Sequence, residues 1–349
     1  MGQSKNERML ELVELLNKAS RSYYQDAQEI MSNYEYDRLY DELQDLEKVL
    51  GKTANKENVK YFDKIRASIR FKHFKKTYDE NILDIKGDLN DVVTNNSPID
   101  IDKLIEGTNE ILSANRNSLQ LFDMLHSMRQ FDDLTYVHSV NVALIASILG
   151  QWLKFSEKDI RILTISGLLH DIGKIMIPNE ILTKPGKLTV AEYNIMKQHV
   201  NFGYEKVKNQ NIDIRIKEAC LLHHEKCDGT GYPFGLKSDH IPAVAKIIAI
   251  ADVYDAMTSA RVYRGALCPF EVIDTMYKDA FTKFEPEYIL PFLKNVASSY
   301  INNDVRLSDG RIGKVVLINE NALSLPIVQC EDEFIDLSKT RGLTVSAIL

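Results

Sequence analysis

Apolar side chains recur at helical spacing over residues 9–50, every three or four positions along the chain. Ser32 and Glu35 have the spacing of a capping box, which predicts the start of a second helix, and Gly51 is a typical stop signal. The stretch that follows is polar and has few apolar positions. We therefore predict a helical hairpin over residues 1–52.

The middle of the chain is predicted to be helical throughout. Residues 53–118 form a mostly polar helical connector that is interrupted around Asn95–Pro98. Over residues 119–300 helical periodicity recurs without strand-like alternation. One predicted helix runs over Thr189–Asn209 and begins at a capping box formed with Glu192. This second region is predicted to be an all-α domain.

The pattern changes to short β-rich segments over residues 301–349. Asp309–Gly310 is a hairpin turn signal, and three β-forming stretches follow it: Ile312–Ile318, Leu325–Gln329 and Phe334–Leu337. The predicted fold class is therefore mainly α, an all-helical bundle with an N-terminal helical hairpin and a small C-terminal β appendage.

Composition indicates a folded globular protein and disfavours several function classes. Hydrophobic residues make up 44% and charged residues 27% of the 349 residues. The net charge of −7 does not favour nucleic-acid binding through a broadly basic surface. The N-terminus has no apolar signal core, and the most apolar stretch, Val137–Leu153, carries His138 and Asn141, so we expect no membrane segment. The four cysteines form no C-x-x-C pair, and we expect a cytoplasmic protein with reduced thiols.

Histidine and aspartate residues form an ordered series in the helical region. Five of the eight histidines and two aspartates belong to it: His138, His170, Asp171, His199, His223, His224 and Asp252. A lone histidine is more often structural than a ligand, but the doublets at 170–171 and 223–224 are costly to bury beside apolar helix ends without a cation. Such a set exceeds one tetrahedral site and suits two metal ions, with Asp171 as a carboxylate suited to bridging them.

Two of these segments resemble a known family. The sequence HDIGK at residues 170–174 resembles the signature of HD phosphohydrolases, and HHEKCDGTGYP at residues 223–233 resembles the segment that defines the HD-GYP subfamily. The similarity continues through residues 250–264 and covers roughly residues 98–349. The resemblance implies an HD-domain helical bundle and a metal-dependent phosphodiesterase that hydrolyses cyclic di-GMP to linear pGpG, GMP or both.

The resemblance also implies which residues hold each metal ion. One ion is expected on His138, His170, Asp171 and Asp252, and the other on Asp171, His199, His223 and His224. Some members bind a third ion through a glutamate four residues before the first histidine, where this chain has Leu134, so we expect a dinuclear site. Nitrogen and carboxylate ligands without a thiolate suit iron or manganese.

Two cations would lower the pKa of a bridging water to give a hydroxide, which attacks phosphorus in line while the ribose 3′ oxygen leaves. Asp171 and Lys174 are the predicted catalytic residues. Lys174, Arg261 and Arg264 are predicted to hold phosphate oxygens, with surface solvation as the alternative. Tyr232 is a predicted substrate contact, although its Gly- and Pro-containing segment is also a simple turn signal.

Three histidines, His73, His126 and His240, match no motif position, and we predict structural roles for them.

Two other functions remain open at this point. A fold of this type is sometimes kept as a non-catalytic nucleotide-binding or protein-interaction scaffold, which missing ligands would favour. An HD phosphohydrolase acting on another nucleotide is the second alternative.

The N-terminal segment carries a second resemblance. Residues 8–50 are similar to the small N-terminal (Ia) domain of NAD-dependent DNA ligases, which contacts a nicotinamide nucleotide. Tyr23, Tyr36 and Asp37 of this chain occupy matching positions, and the resemblance implies that they would make such contacts. Asn33 stands where that family usually has aspartate, and the K-x-D-G sequence that does follow, at residues 226–229, is part of the HD-GYP-like segment, so we do not expect a ligase. We expect the hairpin to serve as an interaction or homodimerisation module, with nicotinamide nucleotide binding as the alternative.

Overall fold

The structure is a computed structural model that describes residue 8 and most of the chain from residue 69 to residue 349. The gaps in that range are at 115–120, 123, 126–133, 185 and 259–266. Several sequence predictions lie outside the described residues: the hairpin at 1–52 with Tyr23, Tyr36 and Asp37, then His126, Arg261 and Arg264.

In the described part of the chain, two long helices lie well before the histidine series. Helix α1 spans Ile69–Asn95 and α2 spans Ile101–Ala114, so the predicted interruption at Asn95–Pro98 is confirmed. Helix α3 (Leu134–Trp152) and α4 (Glu157–Leu169) then pack extensively against each other. The side-chain oxygen of Ser156 caps the start of α4 by accepting a hydrogen bond from the Asp159 backbone N–H.

The helices that follow are mostly short. A 3₁₀ turn covers Ile172–Met176, and the α-helices after it are α5 (Asn179–Leu182), α6 (Val190–Met196), α7 (His199–Val207), α8 (Ile214–Leu222), α9 (Ala243–Thr258), α10 (Pro269–Asp279) and α11 (Pro286–Ser299).

The prediction of one helix over Thr189–Asn209 is wrong, because α6 and α7 are separate. The capping box at its start is confirmed, but at Lys197–Gln198 the chain tightens and the Gln198 N–H bonds to the Ile195 carbonyl, three residues back. The reorientation lets α7 pack against the 3₁₀ turn, where a Cβ on Gly173 would overlap the His199 carbonyl. Tertiary packing thus overrides a continuous helical pattern.

The chain ends in an antiparallel sheet of order β4-β3-β2-β1-β5. Its strands are β1 (Asp304–Leu307), β2 (Ile312–Leu317), β3 (Ile327–Cys330), β4 (Glu333–Asp336) and β5 (Val345–Ile348). Gly310 has a φ of 93° in the turn between β1 and β2, so the hairpin signal is confirmed. The strand pattern did not predict β5, which pairs with the distant β1.

The mainly α fold with a small C-terminal sheet is confirmed. One continuous cluster of buried apolar side chains holds it together and includes Phe74 of α1, Leu144 of α3, Ile248 of α9 and Val315 of β2. The predicted connector and appendage therefore share a core with the bundle. Within the described part of the chain, no helix combines the length and apolar character needed to cross a membrane.

Candidate metal centre

The predicted ligands converge from five parts of the fold. His138 lies on α3, the 170–171 doublet follows α4, His199 begins α7, the 223–224 doublet follows α8, and Asp252 lies on α9. They form two groups, and within each group the potential ligand atoms lie within 4.8 Å of one another. The first group is His138, His170 and Asp252, and the second is Asp171, His199, His223 and His224.

Asp171 lies between the two groups. Its Oδ2 atom is 3.2 Å from His170 Nε2 and 3.6 Å from His138 Nε2. Its Oδ1 atom is 3.3 Å from His199 Nε2 and 3.7 Å from His223 Nε2. Each oxygen of one carboxylate thus faces a different group, which is the arrangement that a bridging ligand requires.

Three imidazoles are oriented by backbone carbonyls close to them in sequence. The Nδ1 atoms of His170, His199 and His223 lie 2.8, 2.8 and 3.0 Å from carbonyls three or four residues earlier. A carbonyl only accepts, so the proton in each ring is on Nδ1 and Nε2 is left facing Asp171. The last carbonyls of a helix lack partners within that helix, which makes a histidine just after α4 or α8 well placed to bind one.

His138 is oriented by carboxylates instead. Its Nδ1 atom lies 2.7 Å from Asp255 Oδ2, and its Nε2 atom lies 3.0 Å from Asp252 Oδ1. Burial opposes the charged form, but these two hydrogen bonds raise the pKa of His138 to about 9. Sequence reasoning missed Asp255 as a site residue, although its position three residues after Asp252 puts both on one face of α9.

The second group carries neutral imidazoles around an ionised carboxylate. Burial lowers the pKa of His199 to about 4 and that of His224 to about 3, and burial together with His224 holds the pKa of His223 well below its usual range. Burial disfavours the charge on Asp171, yet nearby His170 and Lys174 hold the pKa of its carboxyl well below its usual range. Neutral imidazole and ionised carboxylate are the forms that bind metal ions.

Two atoms at the centre point to a cation. His170 Nε2 and Asp171 Oδ1 are fully buried, and neither has a hydrogen-bond partner among the described residues. Leaving such groups unsatisfied is costly, and a metal ion bound at each ligand group would satisfy both atoms. The donor set of imidazole nitrogens and carboxylate oxygens fits iron or manganese. The residues present therefore fit the cations that the sequence predicts.

Glu225 stabilises the loop beside the second group by hydrogen bonds to its backbone, a role that the sequence analysis did not predict. Its carboxylate accepts backbone N–H bonds from Phe234 (2.7 Å), Gly235 (3.1 Å) and Leu236 (2.8 Å). The loop also approaches the backbone closely at Gly231, where a Cβ would overlap the His224 carbonyl. In the sequence, the position of this acidic residue between the histidine doublet and a glycine-rich turn was the signal that could have indicated this role.

The same loop places Tyr232 at the edge of the candidate metal centre. Its ring stacks on His224 with a centroid separation of 4.7 Å and an interplanar angle of 27°. Burial holds the pKa of the Tyr232 hydroxyl well above its usual value, so the group stays protonated. The Lys197 ammonium lies 6.0 Å from the centre of the same ring and was not among the predicted contacts.

Lys174 contacts the second ligand group, whereas two of the histidines predicted to be structural have partners elsewhere. Lys174 forms an ion pair with Asp171, and its side chain is 21% exposed. His240 is exposed and pairs with Asp239, while His73 lies 3.4 Å from the Thr77 hydroxyl on α1. Neither histidine belongs to the two ligand groups.

Comparison with known proteins bears on the fold and its chemistry. The family model described as HD domain matches residues 109–288, about half of the chain. The chain belongs to the HD domain family. The match includes all seven ligand positions of the two groups and confirms the resemblance seen in the sequence. A second model, described as DNA ligase-like, N-terminal NAD+-binding domain, matches residues 2–62.

Curated relatives of this HD domain are bacterial phosphodiesterases. The cyclic di-GMP phosphodiesterase PA4108 of Pseudomonas aeruginosa is 36% identical over 58% of this chain and 49% of its own length. The cyclic di-GMP phosphodiesterase response regulator RpfG of Xanthomonas campestris pv. campestris is 36% identical over 56% of this chain and 52% of its own length. The 3′3′-cGAMP-specific phosphodiesterase 2 of Vibrio cholerae is 32% identical over 53% of this chain and 36% of its own length. The chain thus spans about half or less of the relatives it matches.

Proposed function

We propose that this chain is a metal-dependent phosphodiesterase that hydrolyses cyclic di-GMP to linear pGpG, GMP or both. The observation that carries the proposal is Asp171, a buried carboxylate whose two oxygens face two separate ligand groups. Relatives named as cyclic di-GMP phosphodiesterases support the choice of substrate. The complete ligand series disfavours the alternative of a non-catalytic scaffold.

The proposed cofactors are two divalent transition metal ions, iron or manganese, with Asp171 shared between them. When bound, such ions supply an activated water and neutralise charge on the phosphate oxygens. The ligands of this chain would hold the metal ions in a buried pocket, since six of the ligands are almost fully buried and His224 is partly exposed. Because this chain has Leu134 where a third-metal glutamate would stand, we propose two ions rather than three.

Lys174 is proposed to bind and orient the scissile phosphate. Its ammonium pairs with Asp171 and is close to solvent. With the charge of Asp171 neutralised by bound cations, this ammonium is available to a phosphate oxygen, and a charge-assisted hydrogen bond of that kind strengthens as negative charge develops. Tyr232 is proposed to contact the nucleotide from its position against His224.

Arg261 and Arg264 complete the proposed phosphate contacts, on the strength of the sequence resemblance alone. Replacing either by Ala should lower turnover roughly tenfold to a hundredfold, since a charge-assisted hydrogen bond contributes about 1.5 to 3 kcal/mol. Metal content should stay near that of the unmodified protein, because neither residue belongs to a ligand group. Elemental analysis beside steady-state kinetics measures both, and unchanged turnover would remove these arginines from the site.

A second substrate has specific support. One relative is named as specific for 3′3′-cGAMP, a cyclic dinucleotide that carries the same phosphodiester bond and differs in one base. Discrimination between the two substrates would rest on contacts to the base edges rather than on the metal centre. We propose cyclic di-GMP as the preferred substrate, with 3′3′-cGAMP as the second candidate.

The N-terminal segment is proposed to act in assembly, as a homodimerisation module. Its similarity to a NAD+-binding domain keeps a nicotinamide nucleotide site at Tyr23, Tyr36 and Asp37 as the alternative. Asn33, in place of the aspartate usual in that family, favours assembly.

The decisive experiment is incubation of metal-loaded protein with cyclic di-GMP, 3′3′-cGAMP and linear pGpG, followed by chromatography of the products. Hydrolysis of cyclic di-GMP that stops when the metal is chelated and resumes when it is restored is the expected result. Faster turnover of 3′3′-cGAMP would exchange the two candidate substrates. Protein that retains its metal ions and hydrolyses none of the three would favour the scaffold alternative.

A further inference from the structure

A continuous line of hydrogen bonds runs from helix α1 to a predicted metal ligand. The Tyr78 hydroxyl lies 2.5 Å from Asn141 Oδ1, and Asn141 Nδ2 lies 2.9 Å from Asp255 Oδ1. The other oxygen of Asp255 lies 2.7 Å from Nδ1 of His138. All four side chains are buried, with exposed fractions between 1% and 9%. Three packed helices, α1, α3 and α9, thus contribute to one polar chain that ends at the metal centre.

The direction of these bonds follows from the chemistry of the groups. An ionised carboxylate only accepts, so both Asn141 Nδ2 and His138 Nδ1 donate to Asp255. The amide oxygen of Asn141 is then turned towards Tyr78, whose hydroxyl donates to it. Burial and the nearby charge of Asp255 hold the pKa of Tyr78 well above its usual value, so its hydroxyl keeps this proton. Each hydrogen bond of the line thus has one assigned donor and one assigned acceptor.

Tyr78 comes from a part of the chain that precedes the matched HD domain. Helix α1 spans Ile69–Asn95, whereas the family match begins at residue 109. Asn141, Asp255 and His138 all lie inside the match. The orientation of a ligand in the HD domain is therefore connected, through two side chains, to a helix outside that domain.

We propose that Tyr78 is a positioning residue for the metal ligand His138, acting through Asn141 and Asp255. The inference rests on the metal centre of the proposed function. A ligating histidine is oriented by the partner of its other ring nitrogen, and loss of that partner weakens metal binding. Without the Tyr78 hydroxyl, the Asn141 amide loses the bond that fixes its orientation, and Asp255 is held less firmly against His138.

A matched pair of variants tests the role of the hydroxyl. Tyr78→Phe removes the hydroxyl and keeps the buried ring. Tyr136→Phe is the control, because the Tyr136 hydroxyl also joins α3 to α1, at 3.2 Å from Asn90 Oδ1, but does not belong to the line. Both variants are made in the full chain, stripped of metal and titrated with Mn²⁺ alone, with free Mn²⁺ followed by electron paramagnetic resonance.

The expected result is selective weakening of one Mn²⁺ site. Removing one hydrogen bond from the line should weaken that site about two- to tenfold in Tyr78→Phe and leave the other site unchanged. Tyr136→Phe should bind as the unmodified chain does. Equal weakening in the two variants, or equal weakening of both sites, would overturn the proposal. An unmodified chain that binds no Mn²⁺ would overturn the proposed metal centre as well, so the two failures are distinguishable.

A double-mutant cycle separates this role from simple packing. In an Asn141→Ala background the line is already broken, so adding Tyr78→Phe should not weaken Mn²⁺ binding further. A loss of the same size in both backgrounds would show that Tyr78 acts on the centre without Asn141, and the proposal would be wrong.

Discussion

The two ligand groups of the candidate metal centre are held in place by different means. In the first group, His138 lies between the carboxylates of Asp252 and Asp255, which come from a helix more than a hundred residues later in the chain. In the second group, His199 and His223 are oriented by backbone carbonyls of the preceding turn. His170 of the first group is also oriented by a local carbonyl, so the difference lies in His138, the one of these four histidines that depends on side chains distant in the chain.

Each ligand group should therefore be sensitive to substitution at different positions. A backbone carbonyl cannot be removed by changing a side chain, so the second group should tolerate replacements that spare its ligands and its loop. The first group can be altered through Asp255, and through Asn141 behind it, without touching a ligand. Among the described ligands, Asp171 of the second group also faces the first, with one oxygen directed to each.

Replacing Asp171, the residue shared by the two groups, should have the largest effect. The unmodified protein, purified without chelator and without oxygen, should hold about two transition metal ions per chain. Asp171→Ala should lose both ions and fall to background activity, because it removes the carboxylate whose two oxygens face the two groups. Elemental analysis, product assay and circular dichroism measure metal, turnover and helix content.

The variant should keep the helical spectrum of the parent, and the exposed Asp332→Ala should behave as the unmodified protein. Full activity in Asp171→Ala would refute the dinuclear assignment, and three ions in the parent would contradict the argument from Leu134.

Asp255→Asn should weaken only the first group. The amide cannot match the charge of the carboxylate that holds His138, and loss of such a partner typically lowers metal affinity about 10- to 100-fold. Mn²⁺ titration should therefore show one weakened site and one unchanged site. Asp274→Asn, which changes an acidic residue paired with Lys278 on the surface, serves as the control. Equal weakening of both sites would contradict the claim that Asp255 supports only the first ligand group.

Glu225→Gln tests the loop that borders the second group. The amide can accept with its oxygen, but its NH₂ group faces a backbone N–H, so at least one of the bonds to Phe234, Gly235 and Leu236 is lost. A charged hydrogen bond contributes about 1.5 to 3 kcal/mol, so kcat/KM should fall roughly tenfold as Tyr232 shifts. Metal content should not change. Loss of metal at unchanged kcat/KM would show that Glu225 supports the ligands rather than the substrate loop.

Removing the N-terminal segment should have the smallest effect on either group. A chain that starts near Lys56 keeps α1 and all seven ligands, so metal binding and measurable hydrolysis should persist. If the segment assembles subunits, light scattering should show a smaller oligomer and no response to nicotinamide nucleotides in either chain. Micromolar binding of nicotinamide mononucleotide to the full chain, lost in Tyr36→Ala, would contradict the assembly proposal.

The sequence predicted the helical pattern and the terminal sheet because these depend on local spacing, and the family resemblance predicted the ligand series. The break between α6 and α7 could not be predicted, since Lys197 and Gln198 fit a helix and only the packing of α7 on the 3₁₀ turn interrupts it. Strand β5 was missed for a related reason, because it forms by pairing with β1 about forty residues earlier.

The motifs by themselves determined which residue types reach the centre, since the 170–171 and 223–224 doublets follow apolar helices that must be buried. The family resemblance also predicted how these residues divide into two groups around Asp171, whereas the side chains that orient His138 are seen only in the folded structure. The reason is physical: hydrogen bonds such as those of Tyr78, Asn141 and Asp255 join helices far apart in the chain, and their partners are chosen by how the helices pack rather than by any repeat in the sequence.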